Sequence, residues 1–356
     1  MENNENYLLR ELLEEAVKRN ATDLLLSVAK APQIRVDKNL VSMNRPILTA
    51  EKSKELCYQV MGEFQQKRLE EEWEVDFSFG VPGLSRFRCN VFMQRGAVSG
   101  AFRRIPFKIL DFDALNLPPI TKELSDKPNG LVLVTGPTGS GKSTTLAAMI
   151  DRINESRRCH IITIEDPIEY LHHHKGCTVE QREIGVDTMG FGSALRSVLR
   201  QDPDVVLLGE MRDPESIQAA LTIAETGHLC FATLHTNSCA QTLSRIVDVF
   251  PGEKQAQIRT QLAQALNGVF TQALLPKIGG GLYLALEVMV ATTAIRALIR
   301  ENKLHSIDNQ ISTGSKFGMQ TMNQSLATGV KSDLVKEEDA MALSPDLEEF
   351  RKCMIY

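Results

Sequence analysis

The amino-acid sequence predicts an α/β fold that is preceded by a smaller α+β region. From residue 130 onward, short continuous apolar runs alternate with amphipathic segments, a pattern typical of buried parallel strands joined by crossover helices. Before residue 105, helical and strand-like patterns follow one another without strict alternation. Between the two regions the periodicity lapses, and Pro106, Pro118 and Pro119 interrupt the chain, which predicts a linker. The predicted boundaries are 1–108 for the first domain, 109–120 for the linker and 121–356 for the second domain.

In the first domain, apolar residues that recur at helical spacing predict a helix over 5–20. Short apolar runs follow at 23–28 and 33–36, and a second helix is predicted over 51–71. Alternating apolar residues then predict strands, with Gly83 in the turn between the first two of them. These strands are 75–79, 87–94 and 100–104.

In the second domain, a continuous apolar strand over 131–135 ends in a glycine-rich loop that opens a helix over 142–154. The tail after residue 330 is charged and poorly patterned. The other predicted strands are 161–164, 205–208 and 229–233. The other predicted helices are 191–200, 214–225 and a long amphipathic one over 254–274, with Ile258, Leu262, Ala265, Leu266, Val269 and Ala273 on one face.

Composition excludes several classes of protein. The net charge of −5, the pI of about 5.9 and the single Trp argue against a general nucleic-acid binder. Seven cysteines without a CxxC pair indicate neither a zinc ribbon nor a disulfide scaffold. The start of the chain lacks the apolar core of a signal peptide, and the longest apolar stretch, 282–295, is broken by Glu287 and is too short to span a bilayer. We therefore expect a cytosolic protein with reduced thiols.

The glycine-rich loop after the strand over 131–135 matches the phosphate-binding pattern G-x-x-x-x-G-K-[ST]. Its glycines let backbone N–H groups turn towards phosphates at the start of a helix, where the helix dipole favours anions. Lys142 is expected to bind the β- and γ-phosphates of ATP, and the Ser143 hydroxyl to ligate Mg²⁺. The sequence thus predicts hydrolysis of Mg-ATP. The predicted cradle comprises Gly136, Pro137, Thr138, Gly139, Ser140, Gly141, Lys142, Ser143 and Thr144.

Carboxylates follow two of the predicted strands. The strand over 205–208 is followed by Gly209 and Glu210. We expect this strand beside the strand of the phosphate loop, as in a Walker B arrangement. Glu210 then supports Mg²⁺ and activates water; the alternative is a solvated residue on a strand-exit loop. The run 165–169 also ends a strand and holds three acids. Glu165 and Glu169 are the better candidates for Mg²⁺ or water, whereas Asp166 is also a candidate cap for the turn before Pro167.

Two histidines bracket the strand over 229–233. His228 precedes the strand and His235 follows it, with Thr236 next. Polar groups at such a strand end are suited to sense the γ-phosphate and to pass the nucleotide state to neighbouring elements. The alternative for each histidine is a packed or surface residue.

A cation from outside the phosphate loop is expected to stabilise the transition state of phosphoryl transfer. The sequence does not rank the candidate arginines, for which surface salt bridges are the alternative. The candidates are Arg196, Arg200, Arg212 and Arg245. In the first domain, several arginines give a locally basic sheet, which is either a solvated face or a surface that meets a neighbouring subunit's nucleotide. These are Arg86, Arg88, Arg95, Arg103 and Arg104.

Four motifs occur in an order that resembles the secretion-superfamily ATPases, also called GspE/PilT-like. Two segments near the end, RIVDVFP and AIRALIRE, are similar to signatures of the PilT-like pilus retraction ATPases in that superfamily. The similarity extends from about residue 5 to residue 345. The four motifs are 136–143, 164–169, 208–213 and 225–236, which resemble the Walker A motif, Asp box, Walker B motif and His box.

The resemblance implies a ring-shaped homohexamer in which a PAS-like domain precedes a RecA-like ATPase domain. It implies a motor for type IV pilus retraction and twitching motility, peripheral at the cytoplasmic face of the inner membrane. Its implied partners are an inner-membrane platform protein and an accessory retraction ATPase, and its ligands are ATP and Mg²⁺. The implied site residues are Glu210 as catalytic glutamate, Glu169 at Mg²⁺, His228 and His235 as the His box, Arg200 and Arg245 at the nucleotide, and Arg86 and Arg88 near a neighbour's phosphates.

The sequence departs from the resembled pattern at Ala297, where these ATPases usually have Asn, and at Leu25, where many have His. Three alternatives to the retraction motor stay open at this point. One is a pilus-assembly or type II secretion ATPase, which usually has a longer N-terminal region and a four-cysteine insertion that this chain lacks. Another is the accessory retraction paralogue. The last is a nucleic-acid translocase, against which the acidic pI and sparse aromatic residues count.

Overall fold

The computed structural model describes residues 7–36, 39–105 and 109–355. The chain divides into two compact units. One consists of Met1–Lys108 with Pro167–Tyr170, and the other of Ile109–Asp166 with Leu171–Tyr356. Pro106, which precedes the predicted linker, and residues 5 and 6 of the first predicted helix lie outside the described residues.

The first unit is built on an antiparallel six-stranded sheet of order β3-β2-β1-β6-β5-β4. Alternate residues of its strands are buried in a core that also contains the apolar faces of the helices, as expected for a sheet with one solvated face. The strands are β1 (Asp23–Leu26), β2 (Gln33–Val36), β3 (Asn39–Ser42), β4 (Glu74–Val81), β5 (Ser85–Gln94) and β6 (Ala97–Ile105). The helices are α1 (Leu9–Lys18), α2 (Ala50–Tyr58) and α3 (Glu63–Glu72).

The single helix predicted over 51–71 is wrong in one respect, because the structure has two helices there. α2 ends at Tyr58, and Gly62 lies at the amino end of α3 with an extended backbone. Glycine in a helix interior costs about 1 kcal/mol relative to alanine. The chain instead uses Gly62 where the second helix begins.

The second unit is built on a seven-stranded sheet of order β13-β12-β7-β11-β10-β8-β9, in which only the β12–β13 pair is antiparallel. Successive residues of β7 belong to different cores. Leu131 and Leu133 pack with the helices that lie between residues 191 and 312, and Val132 and Val134 pack with the helices Pro119–Ser125 and Lys142–Ser156. The sheet is therefore covered on both faces, which confirms the predicted α/β class. The strands are β7 (Gly130–Thr135), β8 (His160–Glu165), β9 (Thr178–Glu183), β10 (Val205–Leu208), β11 (Leu229–Leu234), β12 (Leu266–Pro276) and β13 (Leu282–Val290).

The helices of the second unit run in chain order from α4 to α14, with short 3₁₀ turns at Leu304–Ser306 and Ser315–Phe317. Among the residues that the structure describes, no helix is long and apolar enough to cross a bilayer. The helices are α4 (Pro119–Ser125), α5 (Lys142–Ser156), α6 (Phe191–Val198), α7 (Pro214–Glu225), α8 (Cys239–Asp248), α9 (Gly252–Ala265), α10 (Thr293–Arg300), α11 (Ile307–Ser312), α12 (Met322–Lys331), α13 (Glu337–Leu343) and α14 (Leu347–Ile355).

The long helix predicted over 254–274 is wrong in its second half. α9 ends at Ala265 and the chain continues directly as β12. β12 lies between β7 and β13 and is buried on both faces over most of its length, so apolar residues point to both faces. Among them, Leu266, Val269 and Ala273 continue the spacing of the apolar face of α9. A pattern of this kind satisfies helical and strand spacing equally well, and periodicity alone does not separate them.

The predicted linker over 109–120 is not free chain. Residues 109–118 form neither helix nor strand, but Phe112 and Leu117 are buried in a core of the second unit. α4 begins at Pro119, at a position where the missing N–H of proline costs no intrahelical hydrogen bond. The segment is thus a packed part of the second unit.

This packing gives a test of the fold. We expect Phe112→Ala to destabilise the second unit by about 3–5 kcal/mol, because a buried aromatic side chain is replaced by a cavity. Native-state hydrogen exchange at the amides of β7 measures the opening free energy of this unit. Leu110→Ala in the same segment is the control, since Leu110 is 38% exposed and its loss should cost under about 1 kcal/mol. Equal effects of the two changes would contradict the packing of Phe112.

Candidate nucleotide-binding site

The loop between β7 and α5 has a backbone that glycine permits and other residues do not. Gly136 and Gly141 have φ angles of 138° and 88°, in the left-handed region. A Cβ on Gly136 would lie 2.5 Å from the carbonyl oxygen of Gln272 on β12. The loop therefore curls tightly against β12 before it opens α5 at Lys142.

Lys142 is held within this loop. Its ammonium donates hydrogen bonds to the carbonyl oxygens of Gly136 (2.8 Å) and Pro137 (3.0 Å), and only 9% of the residue is exposed. The buried Ser140 hydroxyl has no hydrogen-bond partner among the described residues. A buried cation, a buried hydroxyl and helix N-terminal amides at one loop fit the oxygens of a polyphosphate.

Parallel pairing brings three more strand ends to the same edge of the sheet as this loop. The order is β7-β11-β10-β8, so β11 separates β10 from β7. The expectation that the strand before Glu210 neighbours the strand of the phosphate loop is therefore wrong. The neighbours of β7 are β12 on one side and β11 on the other, and β11 ends immediately before His235.

The backbone around Glu210 is fixed from both sides. The Gly209 N–H donates to the carbonyl oxygen of Ile164 on β8 (2.8 Å), and the Met211 N–H donates to that of Thr233 on β11 (3.0 Å). A Cβ on Gly209 would lie 3.2 Å from the Ile164 carbonyl oxygen. Glu210 thus leaves the sheet at a defined point between β8 and β11.

The Glu210 carboxylate contacts two cationic or polar side chains. Arg212 Nη2 lies 2.7 Å from Oε2, and His235 Nε2 lies 3.4 Å from Oε1. The other ring nitrogen of His235, Nδ1, is 3.5 Å from Lys142 Nζ. One neutral tautomer satisfies both histidine contacts: Nδ1 accepts from the ammonium and Nε2–H points to the carboxylate. His235 therefore joins Lys142 to Glu210 across β11.

Opposing effects act on the pKa of Glu210. Partial burial raises it, but the hydrogen bond and charge of Arg212, helped by His235, outweigh burial and leave the pKa below its ordinary value. The same ion pair raises the pKa of Arg212. Glu210 is consequently ionised at neutral pH and available to accept a hydrogen bond.

The acids of the run 165–169 do not converge as a group in the second unit. Glu165 accepts hydrogen bonds from the Thr163 hydroxyl (2.6 Å) and from Gln181 on β9 (3.2 Å). Glu169 belongs to the segment Pro167–Tyr170, which groups with the first unit. Its predicted role at Mg²⁺ stays a prediction.

His228 is not brought to this edge of the sheet. It lies at the amino end of β11, where its backbone oxygen accepts from Gly130 N–H at the start of β7 (3.0 Å) and its ring contacts Thr226. His235 follows the other end of the strand, roughly 20 Å away at about 3.3 Å per residue. The prediction that His228 acts at the phosphate loop of its own chain is therefore wrong.

The arginines singled out from the sequence occupy different places. Arg200 is exposed after α6, on the approach to the amino end of β10, and Arg245 is exposed on α8. Arg196 forms a surface pair with Glu215 (2.7 Å). Arg212 alone of the four contacts Glu210, and its position two residues after that acid was the available signal.

Three of the five arginines of the predicted basic sheet, Arg86, Arg88 and Arg103, lie on the solvated face of the first unit's sheet. Arg104 is the register partner of Phe87 and so lies on the opposite face, and Arg95 is in the turn between β5 and β6. Arg88 on β5 is exposed and is the register partner of Arg103 on β6, which pairs with Asp23 (2.9 Å). Arg86 donates a hydrogen bond to the Ser78 hydroxyl on β4. The two arginines named from the resemblance thus share one face with a third.

The model of the type II/IV secretion system protein family matches residues 5–342. The chain belongs to this family. It is 50% identical to the "Type IV pilus retractation ATPase PilT" of Pseudomonas aeruginosa, over 96% of this chain and 99% of that protein. It is 38% identical to the "Type IV pilus ATPase PilU" of the same organism, over 96% of this chain and 89% of that protein.

Among solved structures, the chain is similar to the pilus retraction motor PilT crystallised with bound ADP. The identity is 48%, the TM-score is 0.93, and the match covers 98% of this chain and 100% of that one. The predicted resemblance to PilT-like ATPases is confirmed by these matches.

The Glu210–Arg212 contact gives a test of the site's electrostatics. We expect Arg212→Ala to raise the pKa of Glu210, because the burial that raises it remains while its main opposing charge is removed. NMR titration of the glutamate carboxyl carbons measures this pKa, with the resonance assigned from Glu210→Gln. Arg196→Ala removes a surface pair of the same length and should leave the pKa of Glu210 unchanged. An unchanged or lower value in Arg212→Ala would contradict the assigned contact.

Proposed function

We propose that the chain is a Mg-ATP-hydrolysing motor that powers type IV pilus retraction. The observation that carries the proposal is the line of contacts from Lys142 in the phosphate loop through His235 to Glu210. The near full-length similarity to a pilus retraction ATPase supports the choice of process.

In this proposal the loop from Gly136 to Thr144 binds the phosphates of ATP. The amides at the start of α5 and the Lys142 ammonium supply the positive ends of the hydrogen bonds. Lys142 then exchanges its bonds to the loop carbonyls for bonds to phosphate oxygens. Because these groups are already held in place, binding needs little reorganisation of the loop.

A magnesium ion is proposed to bind together with the phosphates of ATP. Oxygen ligands are those that Mg²⁺ prefers, and we propose that Ser143, Glu169 and Glu210 hold it directly or through water. The ion would neutralise part of the negative charge on the phosphate oxygens.

Hydrolysis requires a water molecule in line with the terminal phosphate. We propose that Glu210 orients this water and accepts its proton, and that Glu165 supports it from the neighbouring strand. His235, which contacts both Lys142 and Glu210, is placed to respond to the terminal phosphate. His228 lies at the other end of β11, so we do not propose that it contacts the nucleotide bound to its own phosphate loop. Any role at a nucleotide would have to be at a site outside its own phosphate loop.

The remaining cations are proposed to act across a subunit boundary. Arg200 and Arg245 are exposed in the second unit, and Arg86 and Arg88 lie on the first unit's basic face. A homohexameric ring would bring such arginines to a neighbour's nucleotide, where they stabilise the charge of the transition state.

We further propose that the first unit is the PAS-like domain and the second the RecA-like domain, and that the ring works at the cytoplasmic face of the inner membrane. Its partners would be the pilus platform protein and an accessory retraction ATPase. The 50% identity to PilT against 38% to PilU favours the principal motor over the accessory paralogue. A nucleic-acid translocase is disfavoured by the pI of about 5.9.

The ATPase proposal is tested by two substitutions. We expect Lys142→Ala to lose ATP binding, because the buried cation of the cradle is removed. We expect Glu210→Gln to bind ATP but to turn it over at least ~100-fold more slowly, the scale for losing a general base. Binding of a fluorescent ATP analogue and phosphate release give the two measurements, with Arg196→Ala as a surface control for protein quality. Wild-type turnover in Glu210→Gln would show that another carboxylate does this work.

The retraction proposal is tested genetically. Cells that lack the gene should be heavily piliated and unable to twitch, because assembly continues without retraction. Pilus counts by electron microscopy and motility on agar measure the two traits. Wild-type complementation should restore both traits and the Lys142→Ala variant should restore neither. Bald cells would instead indicate an assembly motor, and unchanged piliation would exclude a role in retraction.

A further inference from the structure

A row of buried polar side chains crosses three strands of the second unit beneath the first turn of α8. Thr271 on β12 is the register partner of Thr135 on β7 and also of Glu287 on β13. The three side chains therefore project from the same face of the sheet. The exposures of Thr135, Thr271 and Glu287 are 0%, 1% and 7%. The Thr135 and Thr271 hydroxyls are 2.9 Å apart.

This row contacts α8 at two points. The Glu287 carboxylate accepts a hydrogen bond from the Cys239 N–H at the start of the helix (2.6 Å), and the Cys239 thiol lies 3.6 Å from the Thr271 hydroxyl. One turn further, the Thr242 hydroxyl lies 3.4 Å from that of Thr135. The first turn of α8 is therefore held by one carboxyl group and one hydroxyl group of the row.

Thr242 also fixes the loop that leads into α8. Its hydroxyl is 2.7 Å from that of Thr236 and donates to the Ser238 carbonyl oxygen (2.8 Å). Only the residues 235–238 separate the end of β11 from α8, and the first of them is His235. The position of α8 therefore determines where His235 contacts Lys142 and Glu210.

The same row of buried groups is directly connected to the phosphate loop. Thr135 is the last residue of β7 and immediately precedes Gly136. The phosphate loop and the His235 loop thus stand on one hydrogen-bonded set of buried groups. A displacement of either loop must strain this set, because an unsatisfied buried hydroxyl is costly.

We propose that Glu287 and Thr242 are positioning residues that fix the position of α8 and thereby hold His235 between Lys142 and Glu210. This inference rests on the proposed ATPase function. Neither residue touches the phosphate loop's ligand positions, and each acts through α8. Burial raises the pKa of Glu287, and the nearby acids Asp308 and Glu349 raise it further, whereas the hydrogen bond from the Cys239 N–H lowers it. The buried position is therefore unfavourable for the hydration of this carboxyl group.

The test compares Thr242→Val, which has nearly the same shape without the hydroxyl, with Thr242→Ser, which keeps the hydroxyl. We expect Val to lower kcat about tenfold while KM for ATP changes less than twofold, and Ser to restore most of kcat. Glu287→Gln should also lower kcat, because the amide replaces one acceptor oxygen of the row with an N–H donor. Ser125→Ala is the control: it removes another buried hydroxyl bond of the same unit, on α4, and should leave kcat unchanged.

Hydrogen exchange gives a readout that does not depend on ATP hydrolysis. We expect Thr242→Val and Glu287→Gln to speed exchange at the amides of 236–242 at least tenfold more than at those of β7. If wild-type protein lacks ATPase activity, the proposed function fails. The exchange result would still show whether Thr242 and Glu287 hold α8 in its position. Wild-type exchange at 236–242 in both variants would overturn the inference. So would equal kcat for the Val and Ser variants, or a kcat loss in Ser125→Ala as large as that in Thr242→Val.

Discussion

The parallel register of β7, β11, β10 and β8 is the constraint on which the candidate site depends. Each strand is buried on both faces, and the ladder fixes how far along the sheet each one ends. The phosphate loop, His235 and Glu210 follow the ends of β7, β11 and β10, and Glu165 is the last residue of β8. Side chains that are distant in sequence therefore meet without any long connection of their own, as expected where the carboxyl ends of parallel strands form a ligand crevice.

Most elements of the second unit could be predicted from the sequence because their signals are local. The strand at Val205–Leu208 and the helix at Pro214–Glu225 have the predicted bounds, since an apolar run ends at Gly209 and Asp213 caps the helix with proline next to it. The bounds of α9 and β12 could not be predicted in this way. What ends α9 at Ala265 is pairing of the following residues with β7, more than a hundred residues earlier in the chain.

The site shows the same division between local and long-range information. The phosphate loop is a contiguous motif, so its residues were predictable one by one. The neighbour of β7 was not, because strand order depends on the crossover connections and not on any one segment. Four arginines were candidates from residue type alone, and only side-chain geometry separates Arg212, which contacts Glu210, from Arg196, which pairs with Glu215.

The lowered pKa of Glu210 bears on how the proposed hydrolysis proceeds. A carboxylate whose pKa lies below its ordinary value is fully charged at neutral pH but is a weak base. Such a group orients water well and takes its proton late. In a loose transition state for phosphoryl transfer, bond formation to the incoming water lags behind bond breaking, so an early proton transfer gains little. Pairing Glu210 with Arg212 and His235 therefore suits a residue that first positions the attacking water and then accepts its proton, as the proposed function requires.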